Sequence, residues 1–124
     1  MMAKILIADD NRDVIETLAD ILTYLNYEHE VTFTTSMAEL LLLLDNTNFD
    51  ICVTDLLFVG EGAADIYGLH KRFGRRTKFI VISAYTKQLD QKYLQEQGIP
   101  VLQKPFSAKQ LINAIEKALN ERPH

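Results

Sequence analysis

Lys4-Ile5-Leu6-Ile7-Ala8-Asp9-Asp10-Asn11 joins an unbroken apolar run to two carboxylates and an amide. A short Ile/Leu run with no polar alternation suits a strand buried on both faces, the kind found in parallel sheets covered by helices. Asp and Asn are poor strand formers and good helix starters, so the strand stops there and a helix begins. From Arg12 to Asn26, the residues Val14, Ile15, Leu18, Ile21, Leu22 and Leu25 recur at helical spacing and make one apolar stripe. A buried strand followed directly by an amphipathic helix is the unit that the rest of the chain repeats.

Val31 and Phe33 alternate with Thr32 and Thr34, which predicts a half-exposed second strand. Ser36-Met37-Ala38-Glu39 is a capping box, and it opens a leucine-rich helix over Leu40 to Leu44. Asp50-Ile51-Cys52-Val53-Thr54 is a third strand ended by Asp55, with Cys52 a small buried hydrophobe inside it. Leu57-Phe58-Val59-Gly60-Glu61-Gly62 reads as a loop, and Ala63 to Phe73 as a third helix. Lys78-Phe79-Ile80-Val81-Ile82 is a fourth strand ending at Ser83. Leu89, Tyr93 and Leu94 mark a polar fourth helix that Gly98 stops. Val101-Leu102-Gln103 is a short fifth strand before Lys104-Pro105. A second capping box, Ser107-Ala108-Lys109-Gln110, then opens a last helix lined by Leu111, Ile112, Ile115 and Leu119. Strands alternating with helices predict an α/β fold: a doubly wound, five-stranded parallel sheet of flavodoxin-like order 2-1-3-4-5, with helices on both faces.

The 124 residues, 48% hydrophobic and 24% charged, suit one domain with one hydrophobic interior, expected to span 1–124 with no output domain after the last helix. No apolar run approaches the roughly 20 residues of a membrane-spanning helix. The N-terminal apolar stretch is also too short for a signal peptide. The single cysteine excludes an intramolecular disulfide or a cysteine-built metal site, so a cytoplasmic setting is the default expectation. A net charge of −4 speaks against a nucleic-acid footprint spread over the domain.

In a parallel sheet the residues that end the strands gather at one edge. Here they are Asp9 and Asp10 after the first strand, Asp55 after the third, Ser83 after the fourth and Lys104 after the fifth. Taken singly each is ordinary, since Asp-Asp-Asn often caps a helix and Lys-Pro is common in turns. Together they put three carboxylates into one cleft. At about 4 Å and an effective dielectric near 20, each pair repels by about 4 kcal/mol before screening. Lys104 offsets part of this. A hard divalent cation offsets more, and Mg²⁺ suits a site with few carboxylate ligands, retained waters and a phosphate oxygen.

With these residues in these places, the whole chain resembles the receiver domain of bacterial response regulators, the phosphoacceptor module of two-component signalling. The resemblance implies that Asp55 is the phosphorylated nucleophile, that Asp10 ligates Mg²⁺ directly and Asp9 through water, and that the Leu57 carbonyl is a further metal ligand. It implies that Ser83 and Lys104 bind phosphoryl oxygens and that Lys104–Pro105 is a cis peptide. A sensor histidine kinase or phosphotransfer protein would donate the phosphoryl group. A downstream protein would read the face made by the fourth helix, fifth strand and fifth helix; no direct nucleic-acid or membrane contact is implied, and a homodimer is admitted. The chain would be no enzyme beyond catalysing its own phosphorylation and dephosphorylation.

The sequence departs from the family's pattern at three places. Val101 stands where an aromatic or histidine is usual, so the usual ring-based relay from Ser83 is missing. Phe58-Val59 replaces a Met-Pro pair, and Gly60 and Gly62 reshape that loop. Apolar Leu57 and bulky Tyr85 flank the acceptor in a way expected to hinder water and lengthen the life of the phosphorylated form. Val101 and the loop favour a competing reading, a docking module of the same fold that works without phosphorylation; the set Asp9, Asp10, Asp55, Ser83 and Lys104 favours the phosphoacceptor more strongly. Enzyme readings lack their motifs: the aspartates are adjacent rather than Asp-x-Asp, and neither a Ser/Thr-rich nor a Gly-x-x-x-x-Gly-Lys phosphate loop is present. Lys71, Arg72, Arg75, Arg76 and Lys78 read as the solvated basic end of the third helix. His29, His70 and His124 lack metal-ligand spacing.

Overall fold

A computed structural model describes residues 2–56, 66–84 and 88–121. The elements run β1 (Lys4–Ala8), α1 (Arg12–Tyr24), β2 (Glu30–Thr34), α2 (Met37–Asn46), β3 (Ile51–Asp55), α3 (Ile66–Phe73), β4 (Lys78–Ser83), α4 (Gln88–Glu96), β5 (Val101–Gln103) and α5 (Ala108–Asn120). The strands form one parallel sheet of order β2-β1-β3-β4-β5, as the sequence predicts. Alternate side chains of the central strands feed two cores, one on each face of the sheet. Leu6, Cys52, Phe79 and Val81 pack with Leu40 and Leu44 of α2, Leu69 and Phe73 of α3 and Leu94 of α4. Ile5, Ile7, Val53, Ile80 and Ile82 pack on the other face with Ile15, Leu18 and Leu22 of α1 and Leu111 and Ile115 of α5. Because β1, β3 and β4 are buried on both faces, their sequences show no alternation.

Helix ends follow local chemistry. Asn11 caps α1, its side-chain oxygen accepting from the Asp13 and Val14 N–H groups. The first helix ends short of the predicted Asn26. That residue takes φ 51°, and Tyr27 N–H donates to the Leu22 carbonyl, so Asn26 is the left-handed stop of a Schellman turn. Leu25 therefore falls off the apolar stripe and is exposed. The second helix is longer than its leucine run. Within it Leu40 and Leu44 are buried, whereas Leu42 faces solvent. Ser107 and Gln110 form the expected capping box at α5. Of the third predicted helix, residues 63–65 lie outside the described residues.

The basic cluster differs from expectation, because three of its five members tie neighbouring elements together. Arg72 pairs with Asp45 at 2.6 Å, and Arg76 donates to the Leu44 carbonyl at the end of α2. Lys78 Nζ donates to the carbonyls of Ala118, at 2.7 Å, and Glu121 at the end of α5. Arg76 and Lys78 thus meet the negative ends of other helices, where unpaired carbonyls collect, and Arg72 meets a carboxylate in the last turn of α2.

Candidate functional site

Parallel pairing brings the C-terminal ends of β1, β3, β4 and β5 to one edge. Asp9, the residue after β1, is fully buried. Its N–H donates to the Thr34 carbonyl at 3.2 Å, and its Oδ1 accepts the Asn11 N–H at 2.9 Å. Because Asn11 does the capping of α1, Asp9 and Asp10 are free for other work. Asp10 is exposed, and Asp55, the last residue of β3, is half-buried. Carboxylate oxygens of Asp9, Asp10 and Asp55 all lie within 4.8 Å of one another.

Lys104 reaches in from the end of β5. Its Nζ donates to Asp55 Oδ2 at 2.6 Å and stands 3.2 Å from Asp9 Oδ2. Its backbone N–H donates to the Ser83 carbonyl at 2.9 Å, and Lys104–Pro105 is cis, as expected. Ser83, buried at the end of β4 and paired with Gln103, belongs to the same edge. Five of the six residues singled out thus converge. The sixth, Leu57, lies outside the described residues, as does Tyr85.

Burial pushes the Asp9 carboxyl above its ordinary pKa, and the Asp55 charge adds to this, against the lowering effects of the Asn11 N–H and Lys104. Burial also disfavours the Lys104 ammonium, but the hydrogen bond to Asp55 and the negative charges of Asp55 and Asp9 win and hold its pKa above the ordinary value. One ammonium faces three carboxyl groups, so the edge remains short of positive charge. Asp9 Oδ2 is buried and accepts no hydrogen bond among the described residues; its contact with Lys104 is electrostatic. Hard oxygens, one of them unsatisfied, beside an exposed aspartate where waters can remain, fit Mg²⁺.

Thr34 is a contributor the sequence reading missed. Its carbonyl fixes the Asp9 backbone, and its hydroxyl accepts the Ser36 N–H to shape the turn into α2. A backbone carbonyl leaves no side-chain signal to find. Beside Lys104, a groove between α1 and the start of α5 is lined by Val14, Leu18, Ile21, Pro105 and Phe106.

A second cluster joins Glu28, His29 and Glu116. His29 Nδ1 accepts the Ala3 N–H at 3.0 Å, so the proton of the neutral ring sits on Nε2, 3.2 Å from Glu116 Oε2. That nitrogen offers no lone pair to a metal, and a metal-bound histidine would need a hydrogen-bond acceptor, not a donor, at Nδ1. With the Tyr27 hydroxyl donating to Glu116 at 2.6 Å, the cluster ties the approach to β2 onto α5.

Residues 5–116 match the family model of the response regulator receiver domain. The response regulator SaeR of Staphylococcus aureus is 34% identical over 120 residues, which cover 95% of this chain and 51% of SaeR. The chain thus spans about half the length of the curated relatives it matches. A receiver domain protein (CheY-like) from Methanospirillum hungatei JF-1 has a TM-score of 0.79 at 20% identity, over 97% of this chain and 95% of that one. The signal receiver domain of a putative LuxO repressor protein from Vibrio parahaemolyticus gives 0.81 at 13% identity, over 96% and 91%. At such identities these structures speak for the fold.

Proposed function

Because the chain belongs to the response regulator receiver domain family of two-component systems, we propose that it is a phosphoacceptor that receives a phosphoryl group on Asp55 from a histidine kinase or phosphotransfer protein. The observation that carries this reading is the meeting of three carboxylates within 4.8 Å, with Lys104 Nζ 2.6 Å from Asp55 Oδ2. In this reading an Asp55 oxygen attacks phosphorus while the donor's P–N bond breaks, leaving an acyl phosphate. Two anions must meet for this, so charge compensation and alignment are the main tasks of the site. Lys104 supplies one fixed positive charge. Asp10 would hold Mg²⁺ directly and Asp9 through water, with Asp55 and the Leu57 carbonyl completing the protein ligands. When bound, the ion supplies two further positive charges to the phosphoryl oxygens. Ser83 donates its hydroxyl to another phosphoryl oxygen.

The product adds nearly two negative charges at the sheet edge. A shift of Ser83 toward them would carry the β4–α4 connection and alter the α4–β5–α5 face that a downstream protein reads. The described region acts as a single receiver module that modifies only itself, in the cytoplasm; no helix among the described residues is long and apolar enough to cross a membrane.

Incubation with a small phosphodonor and Mg²⁺, followed by intact mass, tests the reading. A gain of about 80 Da, one phosphoryl group, is expected in the wild type and not in Asp55→Asn. No gain in the wild type would leave the phosphorylation-independent docking module as the better account. Leu57 and Tyr85 are proposed to hinder water, giving a long-lived phosphorylated form. Leu57→Asn or Tyr85→Glu should shorten its half-life about tenfold or more, read by loss of the added mass, since one displaced barrier of about 1.4 kcal/mol suffices.

A further inference from the structure

The groove between α1 and the start of α5 has a volume of about 770 Å³, within the roughly 300–1,000 Å³ of sites that hold small organic molecules. Its inner end is made by Lys104 and by Ala84, the residue after Ser83, so it opens onto the edge where Lys104 Nζ meets Asp55 Oδ2. From there it follows α1 from Val14 to Ile21, two turns or about 10 Å. Pro105 and Phe106 make the α5 side. Among the described residues that line it, Asp13 and Lys104 alone are charged, and Asp13 lies in the first turn of α1. The groove therefore has a charged end at the carboxylates and an apolar length leading away from them. Thr17 and Ile21 line that length and belong to neither core.

We infer that this groove seats the acyl group of small acyl phosphates, which makes donors with an apolar acyl chain a substrate class of this chain beside its protein donor. The inference rests on the phosphoacceptor reading above. In the transfer, an Asp55 carboxylate oxygen forms the new bond to phosphorus. The bond from phosphorus to the acyl oxygen breaks, and its electron pair leaves with the released carboxylate. No proton is taken up, and no reactant beyond the donor and Mg²⁺ is needed. Lys104 holds the phosphoryl end, while Val14, Ile21 and Phe106 take the hydrocarbon out of water. An acetyl group covers only the mouth of the groove; a hexanoyl chain extends four methylenes further along it.

The test compares hexanoyl phosphate with acetyl phosphate, each with Mg²⁺ and at equal concentrations below saturation, by the initial rate of phosphoryl mass gain. The two donors release carboxylates of nearly equal basicity, so a rate difference reports the chain rather than the leaving group. In the wild type the hexanoyl-to-acetyl ratio should be about 10, from roughly half the free energy that four fully buried methylenes contribute. Ile21→Asn and Thr17→Glu put polar groups on the groove wall and should each lower the ratio at least about threefold. Labelling by acetyl phosphate with a wild-type ratio near one would overturn the inference and leave the phosphoacceptor reading standing. A high ratio kept in both variants would put the preference outside the groove and overturn the inference as well. If neither donor labels the wild type, the phosphoacceptor reading and the inference fall together.

Discussion

Lys104 shows how much one side chain carries when the fold gathers like charges around it. Its ammonium bridges Asp55 and Asp9, so Lys104→Met removes the fixed cation from the site proposed to accept a phosphoryl group. Phosphoryl incorporation should fall about 100-fold or more, the loss typical for removing one preorganised electrostatic partner, as initial rates by intact mass would show. Asp9 supplies a pH signature. Burial raises its pKa in the folded state, so the fold binds this proton more tightly than the unfolded chain does. Its contribution to stability is present below the ordinary aspartate pKa and is lost as pH rises through the raised value. In metal-free buffer, melting curves should therefore show the wild type losing stability relative to Asp9→Asn as pH rises through that window, and Mg²⁺ affinity should grow over the same interval. A flat difference between the two proteins would contradict the assignment.

At the level of elements, positions are set by ends as much as by faces. The apolar stripes of α1 and α5 determine which side of the sheet each covers, and Asn11, Asn26 and Ser107 determine where each begins or stops. Lys78 adds a tertiary cap, donating from the first residue of β4 to the last carbonyls of α5. Lys78→Met keeps much of the apolar stem and removes the donor. It should cost about 1–2 kcal/mol, a fall in Tm of roughly 3–6 °C by calorimetry, with the α5 C-terminus fraying first. The leucines of α2 show the limit of composition as a guide. Leu42 belongs to the same run as Leu40 and Leu44, but it points to solvent because the helix turns 100° per residue whatever the sequence.

Across the whole molecule, two cores clamp the central strands, and the strain of the design is concentrated at one edge, where carboxylates are crowded together. A cation that binds only the folded arrangement must then stabilise the fold. At about 100 times its dissociation constant, Mg²⁺ should contribute about 2.7 kcal/mol, seen as a rise in Tm of several degrees. Asp10→Asn should abolish most of that rise while leaving the core and its two-state melting intact. A Tm unmoved by Mg²⁺ in the wild type would show that the crowded carboxylates are accommodated by Lys104 and protonation alone.

The order of strands and helices, the two-sided burial of β1, β3 and β4, and the list of polar residues that end the strands follow from the sequence itself, because each rests on periodicity or on the chemistry of a single residue next to a turn. Only the tertiary structure decided that Asn11 rather than the aspartates caps α1, that the Thr34 carbonyl holds Asp9, that Arg76 and Lys78 cap distant helices while Arg72 pairs with Asp45, and that His70 meets Tyr93. Those facts depend on distances between parts of the chain brought together by folding. A backbone carbonyl or a helix end has no side-chain identity by which a one-dimensional pattern could announce its partner.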